Sequence, residues 1–159
     1  MPKSERKKTV QNALIGAAGV YYVASELLRR GLVALPTMRN TKGYDIIVAN
    51  PNGTSYANID VKTSQNRVDH WPMPSSSAIC CGPNDYYVLL RWLEKEKRFE
   101  GFMLSGAEAK DAVILSETKD PWNIKQRSEG KPTWAVVHVG KNGVEKDAQW
   151  KNLWETWTL

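Results

Sequence analysis

The chain has 159 residues, 42% of them hydrophobic and 25% charged, with a net charge of +5 and a pI near 9.2. That length predicts one domain able to bury a full core, and the composition excludes a disordered, collagen-like or coiled-coil chain. No apolar run reaches the roughly 18–20 residues of a membrane span, so no membrane partner is expected, and the basic, amphipathic N-terminus lacks the apolar core of a signal peptide, which predicts a cytoplasmic protein.

The adjacent cysteines Cys80 and Cys81 match neither a disulfide framework nor a zinc spacing, as suits a reducing compartment. The basic balance favours a polyanionic partner.

In chain order, Val10, Leu14, Ala17, Tyr21, Ala24 and Leu28 recur at three- and four-residue spacing between Thr9 and Arg30. This predicts a helix packed through that seam. Gly31 ends it, and Gly16 and Gly19 inside it predict close packing on a sheet. Leu32 to Leu35 reads as a short strand stopped by Pro36. Tyr44 to Asn50 and Ser55 to Thr63 read as strands joined by the turn Asn50-Pro51-Asn52-Gly53, so residues 44–63 form a β-hairpin. Residues 64–84 are expected to be irregular. Tyr86 to Trp92 reads as a central strand, turned at Glu94–Lys97 into its partner Phe99 to Leu104. A short helix over 105–115, a polar segment over 116–132, a strand over Thr133 to Val139 and a helix over Lys146 to Trp157 complete the chain. The order predicts an α/β domain with a mixed central β-sheet flanked by helices.

The hairpin carries the chemistry. Side chains alternate along a strand, so Asp60 and Lys62 share one face while Ile59, Val61 and Thr63 share the other. The turn brings Asp45, at the head of the partner strand, near Asp60. Two carboxylates hold Mg²⁺ and leave its other positions to water and phosphate, and a lysine beside them orients a water or stabilises charge on phosphoryl oxygens. That combination suits phosphodiester hydrolysis. An exposed ion pair between Asp60 and Lys62, with Asp45 a turn residue, is the plainer reading of the same spacing.

Gly43-Tyr44-Asp45 followed by Asp60-Val61-Lys62, on a hairpin after a long helix, resembles the PD-(D/E)XK nuclease superfamily. The text GAAGVYYVASELLRRG…TKGYDIIV…IDVKTSQ is similar to a branch of that superfamily related to Holliday-junction resolvases, and the resemblance covers most of the chain. It implies a restriction-endonuclease-like core and an Mg²⁺-dependent DNA endonuclease, with Mn²⁺ as a substitute and no small-molecule cofactor. By resemblance, Asp45, Asp60 and the Val61 carbonyl hold the metal and Lys62 assists the attacking water. Arg39 and Lys42, entering the hairpin, and Ser64 and Gln65, leaving it, are the expected DNA contacts. A homodimer is expected by analogy of fold.

One position departs from the pattern. Relatives in that branch carry a Glu on the first helix where this chain has Val20. Glu26 is read as solvated, beside Arg30. The departure supports an alternative: a nucleic-acid- or partner-binding module with a degraded site.

Other candidates have plainer readings. His70 and Trp71 could hold substrate or stack on a splayed base, or they pack a loop on its own sheet. His138 has no evident partner. Trp150, Trp154 and Trp157 make one helical face, which docks the last helix or contacts a second copy. Lys3, Arg6, Lys7 and Lys8 form a basic tail that adds salt-sensitive attraction to DNA.

Overall fold

The computed structural model describes residues 3–38, 43–64, 70–138, 157 and 159, with side chains from residue 11 onward. Helix α1 spans Lys3–Arg29. It ends in a Schellman motif: Leu32 N donates to Leu27 O and Gly31 N to Leu28 O, with Gly31 at φ +82°. A glycine takes that left-handed angle without steric cost.

Strands β1 (Val33–Pro36), β2 (Ile46–Ala49), β3 (Tyr56–Ser64), β5 (Asp85–Leu93) and β6 (Arg98–Ser105) form a five-stranded sheet in the order β1-β2-β3-β5-β6. The β3–β5 pair is parallel and the other neighbours are antiparallel, so the sheet is mixed. The hairpin is the one expected. Asn50 Oδ1 accepts from the Thr54 and Ser55 amides, and Gly53 takes φ +68°. Strand β2 begins at Ile46, one residue after Asp45, whose side chain rather than its carbonyl accepts from the Val61 amide.

The two faces of the sheet have separate cores. On one, Val23, Ala24 and Leu27 of α1 pack on Ile46, Val48, Ile59, Val61, Val88 and Leu90. On the other, α2 (Gly106–Lys119) sets Ala109 and Val113 on Tyr87, Leu89 and Leu104. Helix α2 lies over β5 and β6. Leu35, Ile47 and Tyr56, facing the same side of β1–β3, stay largely exposed. Asp60 and Lys62 therefore open onto the less covered half of that face.

Four expectations are corrected. Of the expected α1 seam, Ala24 is buried, but Leu14, Tyr21 and Leu28 are 63%, 66% and 54% exposed; the buried face runs through Gly19, Val23, Ala24 and Leu27. The segment 64–84 contains a short strand, β4 (His70–Pro72). The last expected strand narrows to β7 (Val136–His138) and pairs antiparallel with β4, apart from the main sheet. Residues 116–132 are not a polar loop: α2 runs to Lys119, and α3 (Pro121–Ser128) follows, with Asp120 as N-cap and a proline in its first turn. Proline fits that place because its missing N–H would have no helical partner.

The expected C-terminal helix, with Trp150 and Trp154, and the basic tail side chains lie outside the described residues. Trp157 packs edge-on against Tyr86, 5.3 Å between ring centroids. None of the described helices is long and apolar enough to cross a membrane.

Candidate active site

Strand β3 sends Ala57, Ile59 and Val61 into the core and turns Asn58, Asp60, Lys62 and Ser64 to the opposite face. Asp45 stands where β2 and β3 part. Its amide donates to Ile59 O at 2.9 Å, the last rung of that side of the ladder. Its carboxylate then takes the place of the missing strand: Asp45 Oδ2 accepts from the Val61 amide at 2.8 Å. Within a strand the N–H and C=O of one residue point to the same side. The Val61 carbonyl is thus also directed past the end of β2, toward Asp45.

Lys62 Nζ donates to Asp60 Oδ1 at 2.5 Å, with the side chains 29% and 14% exposed. Burial pushes the Asp60 carboxyl above the ordinary aspartate value; Lys62 opposes the rise, and the hydrogen-bonding neighbour Asp45 adds to it. Two carboxylates and an ammonium thus meet at one partly desolvated spot. The sequence placed Asp45, Asp60 and Lys62 together, and the structure brings them together.

A second layer fixes the spot from below. Thr37 N donates to Asp45 O and Thr37 Oγ1 to Tyr44 O, which ties the residues before β2 to β1. Tyr44 bonds to Asp85 and Cys80, and its hydroxyl pKa is raised, chiefly by burial. Asp85 accepts from Asn58 Nδ2 at 3.0 Å and from the Gly82 amide at 2.8 Å. Burial works against its charge, but the hydrogen bonds from Asn58, Tyr44 and Gly82 outweigh it and hold the carboxyl below 3.8. Tyr87, the register neighbour of Asp60, accepts from the Cys80 amide at 3.1 Å, and burial lifts its hydroxyl to about 12.

Above β3, α1 comes into direct contact. A Cβ on Gly19 would lie 2.0 Å from Thr63 Oγ1. Only glycine lets the helix sit there, one residue after Lys62. Val20, next along, is half-buried and packs against the cluster that contains Val61, on the face opposite Asp60. Glu26 pairs with Arg29 at 3.0 Å.

The other expected residues distribute as follows. Ser64 ends β3 on the face of Asp60 and Lys62, beside Arg91 in register. Arg39, Lys42 and Gln65 lie outside the described residues. Arg91 is a cation that the sequence reading passed over. It pairs with Glu100 at 2.6 Å and lies over the Phe102 ring. Trp71 is only 1% exposed and donates to Leu90 O, so it packs the sheet and offers no face to a base. His138 does have neighbours: Asp120 Oδ2 at 3.6 Å, and the His70 ring at 5.9 Å between centroids.

The donor set fits a hard divalent cation, which takes oxygen ligands and accepts one or two carboxylates with the remaining positions filled by water and phosphate. Asp45 meets the Val61 amide and Asp60 meets Lys62 through one carboxylate oxygen each. Among the described residues no group of three or more His, Cys, Asp or Glu is arranged to hold a metal; the acidic pair offers two carboxylates. The sequence matches no protein-family model and none of the curated proteins.

Proposed function

We propose that this chain is a Mg²⁺-dependent DNA endonuclease of the PD-(D/E)XK type. The observation that carries the reading is the convergence of Asp45, Asp60 and Lys62 at the point where β2 and β3 part. Asp45, Asp60 and the Val61 carbonyl would hold the cation. When bound, it supplies charge neutralisation at the phosphate and a more acidic water. Lys62 lies in reach of both the carboxylates and the open face, so it orients the attacking water and stabilises charge growing on the phosphoryl oxygens. A proton on Asp60, which burial favours, opposes cation binding, and Lys62 favours the ionised form. Ser64, with Arg39, Lys42 and Gln65, would position the backbone phosphates.

Val20 favours a second reading, a DNA-binding module on the same scaffold whose metal site has decayed. A cleavage panel separates the two. The full chain is incubated with supercoiled, linear, single-stranded and four-way-junction DNA in Mg²⁺ or Mn²⁺ and, in parallel, in EDTA. Metal-dependent cutting of any substrate supports the enzyme. Binding without cutting moves the assignment to the module, and neither binding nor cutting overturns both.

A further inference from the structure

Away from the acidic pair, α3, β4, β7 and the segment before β7 line an open cavity of about 360 Å³. Its walls include His70, Asp120, Trp122, Trp134, Val136 and His138. We infer that this cavity receives one unstacked, amino-bearing base of single-stranded DNA.

The walls are flat and available. Trp122 and Trp134 are 47% and 61% exposed and meet edge-to-face, 5.7 Å between centroids. A planar ring can stack on one indole while abutting the other. The pair is also preorganised. Buried Asn123 donates to Trp134 O at 2.9 Å and accepts from the Trp134 amide at 2.9 Å, so the backbone of Trp134 is fastened to the helix that carries Trp122.

The polar groups select the ring. Asp120 Oδ1 caps α3 through the Trp122 and Asn123 amides. Its other oxygen stands 3.6 Å from His138 Nε2, too far for a good hydrogen bond. His138 Nε2 itself is buried with no hydrogen-bond partner among the described residues. A carboxylate oxygen repels a phosphate and accepts from an N–H donor. The fitting ligand is therefore a neutral heteroaromatic ring with an exocyclic amino group, as in adenine or cytosine; the one N–H donor of thymine is flanked by two carbonyl oxygens that a carboxylate repels. The volume lies at the small end for ligand pockets, which suits one base.

Position supplies the source. β4, which starts at His70, begins six residues after Ser64, and its Trp71 packs with Tyr87 and Leu89. Those two are the register neighbours of Asp60 and Lys62, so the β4–β7 pair lies on the side of the sheet that carries the acidic pair, with the cavity on its outer face. The choice of DNA as the source rests on the nuclease reading; base capture itself does not.

The test measures anisotropy of labelled short oligo(dA), oligo(dC), oligo(dT) and duplex DNA with the full chain in EDTA, where no cleavage occurs. Oligo(dA) and oligo(dC) are expected to bind more tightly than oligo(dT) or duplex, and Trp134→Ala to weaken them roughly 5- to 150-fold. Asp120→Asn keeps the helix cap, since Asn caps as well as Asp, but presents a donor, so it should shift the preference toward oligo(dT). That variant decides the matter alone if Trp134→Ala does not fold. Equal binding of oligo(dT) by the natural chain, or an unchanged preference in Asp120→Asn, overturns the inference. So does displacement by free deoxyadenosine as effective as by oligo(dA). Loss of cleavage activity bears on the acidic pair and leaves this result standing.

Discussion

The Val61 amide donates to Asp45 Oδ2 at 2.8 Å, across sixteen positions of chain. This one bond replaces a ladder rung with a carboxylate. It ends strand pairing and, in the same act, places an acid against the strand that carries Asp60 and Lys62.

Removing that acid should therefore have two separable effects. Asp45→Ala leaves the Val61 amide without its acceptor and is expected to cost about 1–3 kcal/mol. Asp45→Asn keeps a carbonyl acceptor and should cost less, while it removes the charge needed for a cation. Urea unfolding of both variants, with Mn²⁺ titration by isothermal calorimetry, reads the two effects independently. Equal stability of the Ala variant and the natural chain would contradict the structural role.

The contact of Gly19 on Thr63 predicts opposite outcomes for two glycines of one helix. Gly19→Ala sets a Cβ 2.0 Å from Thr63 Oγ1, and overpacking of this kind costs about 1–3 kcal/mol. Gly16 has nothing within 4 Å of its added Cβ, so Gly16→Ala should stabilise by up to about 1 kcal/mol through helix propensity. Thermal melts of the pair check this. Two shifts of the same sign would contradict the packing.

Asp85 gives a pH signature. Its carboxyl is held below 3.8 in the folded chain, so between the folded and unfolded values the unfolded chain binds more protons. Stability contributed by this group is present above the unfolded value and is lost as pH falls through the folded one. Asp85→Asn should flatten this part of the acid limb and cost about 1–3 kcal/mol at neutral pH, because Asp85 is buried and hydrogen-bonded to Asn58 and Gly82. Urea midpoints measured from neutral pH down to the acid limit decide it; an acid limb as steep as that of the natural chain would contradict it.

The hairpin was legible because two local signals agree: a period-two alternation in IDVKT and an Asn-Gly turn ahead of it. The meeting of Asp45, Asp60 and Lys62 follows from that hairpin alone. The packed face of α1 was legible only in part, through Gly19 and Ala24. Apolar residues occupy two stripes of that helix, and the stripe that packs is led by Gly19, which carries no hydropathy signal. Helix α3 was signalled by Asp120-Pro121, an N-cap before a proline, yet its polar surroundings resemble a loop. The tryptophan cavity draws on three separated segments, 70, 120–123 and 134–138, and no local pattern joins them. The parallel β3–β5 pairing is likewise long-range, set by which faces must be buried rather than by any short motif.

In the proposed reaction Lys62 acts in cleavage while Asp45 and Asp60 hold the cation. Lys62→Ala, compared with the natural chain for DNA cleavage in Mg²⁺ and for Mn²⁺ binding, tests it most directly. Cleavage is expected to fall by roughly 10²–10⁴-fold, the range for a positioned proton-transfer group, with Mn²⁺ still bound. A folded Lys62→Ala protein that cuts at the natural rate would contradict it.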